Sequence, residues 1–416
     1  MSTSRTSSDK GPSRVTLTEV DGARRLAVNG EPFFVRGAGG GYGHTEALGR
    51  HGANALRTWS TRDAGRMLDE AQAAGLMVLM GLAVTPERHG YDYDDARAVR
   101  GQLDAMTDAV RSWKDHPALL GWGIGNELNL LARNPAIWNA VNDIAAMIHD
   151  VDGNHPATTM LAGIRKPVVD EIAARAPELD FLSVQMYGDI VNLRARIDDA
   201  GYAGPYLVTE WGATGHWEVP STEWGAPIEQ TSSEKADAIL ERYRTAILGD
   251  AEHCMGSFVF LWGQKQERTP TWYGLFTEHG QETEAIDVME HVWTGRRPAV
   301  RAPRLTNISI GGRGRYDNVT LAAGERATAA LAVEIQGRGD AAGLQVRAEI
   351  LPEATVLGEG GDFEPRPEAI PGLIEAVGLD TIAFTAPATP GPYRLFAYVE
   401  DEHNHAATAN LPFLVR

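Results

Sequence analysis

The 416-residue chain has one cysteine, Cys254, so it can form no internal disulfide and no cysteine-based metal cluster. No stretch approaches the roughly 18 consecutive apolar residues that a membrane-spanning helix requires. Positive charge is in short supply: 38 Lys and Arg face 56 Asp and Glu, a formal net charge of −18. Such a surface repels phosphate backbones and anionic lipid, so neither nucleic acid nor a membrane is an expected partner. The polar stretch Met1 to Lys10 has no apolar core of the signal-peptide kind. The expectation is a reduced, cytoplasmic protein, or a secreted one if a leader was removed. No HExxH, GxSxG or GxxxxGK[ST] pattern occurs, and the histidines are scattered. No metal, cofactor, serine nucleophile or phosphate cradle is therefore expected. No oligomeric state is assigned.

What is present is ordinary globular composition, 43% hydrophobic and 23% charged. Eight short apolar runs recur along the chain: Pro32–Gly39, Ala55–Trp59, Met77–Leu82, Leu119–Glu127, Ala157–Leu161, Phe181–Tyr187, Pro205–Trp211 and Gly256–Gly263. Continuous apolar runs bounded by Gly, Pro or polar residues read as parallel strands buried on both faces. Helical spacing falls between them, in Thr45–Gly52, Thr61–Gly75, Asp94–His116, Pro135–Val151, Val168–Ala176, Ile190–Ala200 and Ser233–Gly249, with Glu284–Trp293 after the last. Eight strand–helix units in series predict an α/β fold, a (βα)8 TIM barrel. All ten tryptophans precede residue 294. Beyond it come alternating runs separated by Gly and Pro, with no long helix, which predict a small C-terminal β-sandwich of immunoglobulin or fibronectin type. The expected organisation is a disordered segment 1–14, a barrel 15–297, a linker 298–304 and a sandwich 305–416.

In a barrel, working residues project from the C-terminal ends of the strands. The fourth run ends in Asn126-Glu127 and the seventh in Glu210-Trp211. A carboxylate straight after an apolar strand is costly unless it has a use. Strands four and seven lie across the barrel mouth, where two facing carboxyls match the needs of glycoside hydrolysis. One holds a proton for the leaving oxygen, and the other attacks the anomeric carbon or activates water. For either glutamate alone, a rim ion pair would explain it equally well; the paired placement makes that reading much weaker.

These motifs resemble the clan A TIM-barrel glycoside hydrolases, and most closely the catalytic domain of family 2. The resemblance runs from about Asn29 to Arg297. "VNGEPFFVRGAG" and "GANALRTWS" are similar to that family's first two strands, "HPALLGWGIGNELN" to its acid/base strand, "PYLVTEWG" to its nucleophile strand, and "GSFVFLWGQKQ" to its eighth. The resemblance implies that Glu127 donates the proton and Glu210 is the nucleophile. It places Arg57 and Tyr187 against the nucleophile, Asn126 on the sugar 2-hydroxyl and Trp262 beside the sugar. Trp59 and Trp211, at strand ends, are further candidate sugar contacts, since indole rings pack on the C–H faces of sugars. Two departures stand out. The family's N-terminal β-domains have no counterpart, and the Asn-x-Lys carboxylate reader of glucuronidases is replaced after strand eight by "TPTWYGLF". The expected activity is a retaining β-glycoside hydrolase acting on a neutral oligosaccharide, polysaccharide or β-glucan. The alternatives are a glucanosyltransferase-like transglycosylase using the same residues, or a catalytically inactive sugar-binding barrel.

Overall fold

The structure, a computed structural model, describes residues 11–20, 22–41, 43–336 and 343–416. Residues 1–10 of the segment expected to be disordered lie outside that range. Three short strands come first: β1 (Val15–Val20), β2 (Ala23–Val28) and β3 (Glu31–Phe33), paired antiparallel in that order. Sequence reasoning did not anticipate them.

The eight apolar runs then form the strands of a closed barrel: β4 (Val35–Gly40), β5 (Ala55–Arg57), β6 (Met77–Leu82), β7 (Leu119–Ile124), β8 (Ala157–Ala162), β9 (Phe181–Gln185), β10 (Tyr206–Glu210) and β11 (Cys254–Trp262). They follow chain order round the barrel, and the seven pairings from β4 to β11 are parallel. The helices that follow successive strands are α1 (Thr45–Arg50), α2 (Ala64–Ala73), α3 (Ala96–Trp113), α4 (Ala136–Val151), α5 (Lys166–Arg175), α6 (Leu193–Ala200), α7 (Ser232–Arg242) and α8 (Glu284–Thr294). This is the TIM barrel that the strand–helix alternation predicts. Its interior is filled by Ala55, Leu79, Leu120, Met160, Phe181, Leu207 and Phe258, with Val15 of β1 and Leu26 of β2 packed into the same cluster. The small antiparallel sheet therefore supplies apolar side chains to the barrel core.

Two expected helices are shorter than their patterns. The Ile190–Ala200 stretch begins as a 3₁₀ turn, Gly188–Asn192, before α6. The Ser233–Gly249 stretch gives way after α7 to a π-helical turn, Tyr243–Ile247. The start of α7 is fixed by a capping box: the Glu234 amide donates to Thr231 Oγ1 and the Thr231 amide to Glu234 Oε2.

The C-terminal region is a β-sandwich, as its alternating pattern predicts. Strands β12 (Arg304–Ile310), β14 (Arg326–Glu334), β17 (Thr381–Thr385) and β16 (Ile374–Val377) form one sheet. The other is β13 (Thr320–Leu321), β19 (Ala406–Val415), β18 (Gly391–Glu400) and β15 (Gln345–Pro352). Leu305, Ile308, Phe384, Leu395, Leu411 and Phe413 are among the residues of its core. β13 and β14 are separate strands because residues 322–325 turn between them, with Gly324 at φ +72°.

By contact density the chain divides into two compact units, Met1–Trp211 with Ala246–Val259, and Gly212–Thr245 with Phe260–Arg416. The second contains α7, α8 and the whole sandwich. Within it, buried Glu229 accepts hydrogen bonds from Lys235 Nζ (2.5 Å), Thr269 Oγ1 (2.5 Å), Thr271 Oγ1 (2.8 Å) and Asn410 Nδ2 (2.5 Å). Arg315 donates to the Glu229 carbonyl (2.6 Å), and the Thr408 amide to Ser232 Oγ (2.8 Å). Segment 298–304 is pinned as well: the Ala302 amide donates to Asp287, and Arg304 pairs with Asp237 and Glu284. No helix among the described residues is long and apolar enough to cross a membrane.

Candidate active site

Three side chains from the C-terminal ends of two barrel strands converge on one carboxylate at the end of a third. Glu210 ends β10 and is only 6% exposed. Its Oε1 accepts from Arg57 Nη1 at 2.7 Å and Trp59 Nε1 at 2.8 Å, and its Oε2 from the Tyr187 hydroxyl at 3.0 Å. All three partners are donors, which complement an acceptor-only carboxylate. Arg57, at the end of β5, is wholly buried. Its guanidinium also donates to the Thr209 carbonyl (2.8 Å) and to Asn126 Oδ1 (2.5 Å), and lies 4.9 Å from the Trp59 ring centre. One planar fork thus ties the seventh strand to the loop after the fourth, a geometry that a lysine point charge does not reproduce.

Asn126 Oδ1 accepts a second bond, from Gln185 Nε2 at 2.8 Å. With that oxygen doubly engaged, the amide end of Asn126 is what it can offer a ligand. The turn that carries Asn126 and Glu127 off β7 depends on Gly125. Its φ is +72°, and a Cβ there would come within 2.5 Å of Leu128. Glu127 is itself left-handed, at φ +50°, and half-buried. Its amide donates to the Met160 carbonyl (3.0 Å), and its carbonyl accepts from the Leu130 amide (2.9 Å) and Arg88 Nη1 (3.4 Å). Strain of this kind persists where surrounding bonds over-determine it.

Of the candidates read from sequence, Arg57, Trp59, Asn126, Tyr187 and Glu210 fall in one hydrogen-bonded network, with Glu127 adjoining it through Asn126. Trp211 and Trp262 are buried, at 0% and 2% exposure. Trp262 packs on Phe276 and Trp293, ring centres 5.4 and 5.9 Å away. Neither indole offers an open face in this structure. Gln185 was missed, although it is the polar end of an apolar strand, the same signal that picked out Glu210. Arg88 was missed because it sits in a short 3₁₀ turn, Glu87–His89, and not at the end of an apolar run.

A second constellation lies at the other end of the barrel strands. Ser13 Oγ is 2.9 Å from His155 Nε2, and His155 Nδ1 is 2.9 Å from Asp152 Oδ2. The order is that of a Ser-His-Asp triad, but the Ser13 hydroxyl donates to the Leu119 carbonyl at 2.7 Å and the group is buried. Burial opposes ionisation of Asp152, yet hydrogen bonds from His155, Trp122 and the Asn154 amide outweigh it and hold the carboxyl below its usual range. The arrangement fastens the chain before β1 under the barrel. Among the described residues, no cluster of His, Cys, Asp and Glu could hold a metal ion.

Residues 45–222 match the model of the glycosyl hydrolases family 2 TIM barrel domain. Over this segment the chain is similar to the family 2 glycoside hydrolase barrel. No curated protein matches the chain. Among solved structures, the chain is similar to a β-glucuronidase of Faecalibacterium prausnitzii: 17% identity, TM-score 0.52, covering 68% of this chain and 52% of that one. A β-D-glucuronidase of Dictyoglomus thermophilum matches at 16% identity and TM-score 0.55, over 69% and 54% of the two chains. A Bacteroides uniformis β-glucuronidase matches at 12% identity and TM-score 0.51, over 96% and 48%. At these identities the likeness is one of fold, and the chain spans about half the length of these solved relatives.

Proposed function

We propose that the family 2 barrel is a retaining β-glycoside hydrolase in which Glu210 is the nucleophile and Glu127 the acid/base. The observation that carries this reading is the triple donor set on Glu210. Arg57, Trp59 and Tyr187 hold both oxygens of a buried carboxylate at the end of strand seven. In the first step Glu210 attacks the anomeric carbon, and Glu127 protonates the departing oxygen. In the second, Glu127 takes a proton from water, which displaces Glu210 and restores the free carboxylate. The free amide end of Asn126 suits the sugar 2-hydroxyl, a contact that strengthens as the ring becomes oxocarbenium-like.

The solved relatives are β-glucuronidases, but a neutral sugar fits this chain better. The cation following β11, Lys265, is already held by Glu267 Oε2 and the Gly361 carbonyl, each at 2.7 Å. The substrate is an oligosaccharide or polysaccharide with a β-linkage, and no cofactor enters the chemistry. A 2-deoxy-2-fluoro β-glycoside with an activated leaving group tests the assignment, because slow hydrolysis lets the covalent intermediate accumulate. Mass spectrometry of the digested protein should find the sugar on the peptide containing Glu210. A label elsewhere, or turnover of aryl β-glycosides without any adduct, would refute it.

A further inference from the structure

The loop between β7 and α4 is fixed unusually firmly for a surface segment. Asn129 makes a reciprocal pair with Ala162, Nδ2 to the carbonyl and Oδ1 from the amide, both at 2.9 Å. On the other side, Glu87 Oε2 accepts from the amides of Arg133 (2.6 Å) and Asn134 (3.0 Å), and Asn134 Oδ1 caps the Ala136 amide (2.9 Å). These backbone bonds hold the Glu87 carboxyl below its usual range. Between the two sets of pins stands Leu131. It is left-handed, at φ +57°, and 64% exposed. Backbone in that region is disfavoured for any residue with a Cβ, and a solvent-facing leucine gains nothing from burial. A rigid loop that holds an apolar side chain out in a disfavoured conformation has the character of a functional element.

Its place says which one. Leu131 lies four residues after Glu127. The acid must reach the oxygen of the leaving group, so the leaving group lies on the Glu127 side of the scissile bond. We infer that Leu131 is the platform on which the substrate's leaving group packs, and that it favours a leaving group with an apolar face, the C–H side of a sugar or an aromatic ring. The inference rests on the glycosidase reading for its orientation. A rigid platform suits this task because no loop ordering must accompany binding.

The test uses compounds that cannot be hydrolysed. Phenyl and methyl 1-thio-β-D-glycosides of glucose, galactose and mannose are titrated by calorimetry into the wild type, Leu131→Ser and Leu248→Ser. Leu248 is a second exposed leucine, away from the loops that follow the barrel strands, and removing it controls for lost surface apolarity. For the sugar that binds best, the wild type and Leu248→Ser should prefer phenyl over methyl by roughly five- to tenfold. Leu131→Ser should lose most of that preference. An unchanged ratio in Leu131→Ser, or no phenyl preference with any sugar, overturns the inference. Turnover of 4-methylumbelliferyl O-glycosides is measured alongside. Turnover without a Leu131-dependent preference defeats the platform alone, whereas a Leu131-dependent preference without turnover defeats the hydrolase reading and keeps Leu131 only as the contact for the phenyl group.

Discussion

Arg57 and Glu210, 153 residues apart in sequence, form a 2.7 Å ion pair that is almost wholly shielded from water. Removing one partner of such a pair strands the other charge, which costs about 3–5 kcal/mol. Arg57→Ala should lower stability by that order. Arg57→Lys keeps the charge but cannot span Glu210 and Asn126 together, and should lower kcat/KM by on the order of a hundredfold. Denaturant melts and aryl glycoside kinetics on both variants check this, and near-wild-type activity in Arg57→Lys would show that the fork is dispensable.

The two glutamates should fail differently. Glu210→Ala should abolish turnover of every substrate. Glu127→Ala should slow substrates with poor leaving groups far more than activated aryl glycosides, which need little protonation. Rates against leaving-group pKa measure this; equal losses across the series would remove Glu127 from the acid role.

Stereochemistry gives an independent check. A nucleophilic Glu210 requires the carboxyls to stand about 5–5.5 Å apart and releases the β-anomer first, whereas inversion requires about 6.5–9.5 Å and releases the α-anomer. Proton NMR during the first minutes of hydrolysis separates them. Addition of acceptor sugars in the same experiment detects transglycosylation.

Glu284, at the start of α8, supplies a pH signature. Burial pushes its carboxyl up to about 7 from an ordinary 4.5; Gln336 and Arg304 oppose the shift, and Asp237 and Asp287 add to it. The folded state therefore retains a proton that the unfolded chain has lost. Stability from this group is present below about pH 4.5 and declines as pH rises towards 7. Glu284→Gln carries no such proton and leaves Arg304 paired with Asp237. Its unfolding free energy should gain on the wild type between pH 5 and 8, by up to about 3 kcal/mol. Parallel pH dependences for the two proteins would contradict this.

Truncation near residue 298 should not yield a sound barrel. It would remove Asn410 and Arg315 from Glu229, Thr408 from Ser232, and the cover over α7 and α8. The expected result is poor solubility or a markedly lower melting temperature. A truncated chain that stays fully stable and loses only polysaccharide binding would make the sandwich a carbohydrate reader instead.

The barrel was legible because strands buried on both faces read as unbroken apolar runs, such as "LLGWGI" and "YLVTE". Glu127 and Glu210 were legible because a charge straight after such a run is conspicuous. β1 to β3 were not, since they are short and bury little: Val15 and Leu26 are fully buried in the core cluster, and Leu17, Val28 and Phe33 pack against it only in part. The Arg57 fork on Asn126, and Gln185 behind it, depend on the convergence of separate strands. Linear spacing carries no trace of that. Leu131 was invisible for a related reason: left-handed backbone leaves no mark on the identity of a leucine.

The bonds from Thr408 to Ser232 and from Asn410 to Glu229 span 176 and 181 residues. During synthesis at about 5–20 residues per second, helix α7 would therefore wait roughly 10–35 seconds for the strand that completes its surroundings. For that interval Glu229 and Lys235 would have each other but not Asn410, and the apolar stripe of the helix would be open to whatever else the cell holds. Nascent chains arrested with residue 400 clear of the ribosome should be cut readily near α7, and chains arrested after residue 416 has emerged should resist. The emergence of β19 would then decide when the newborn chain becomes safe from proteases.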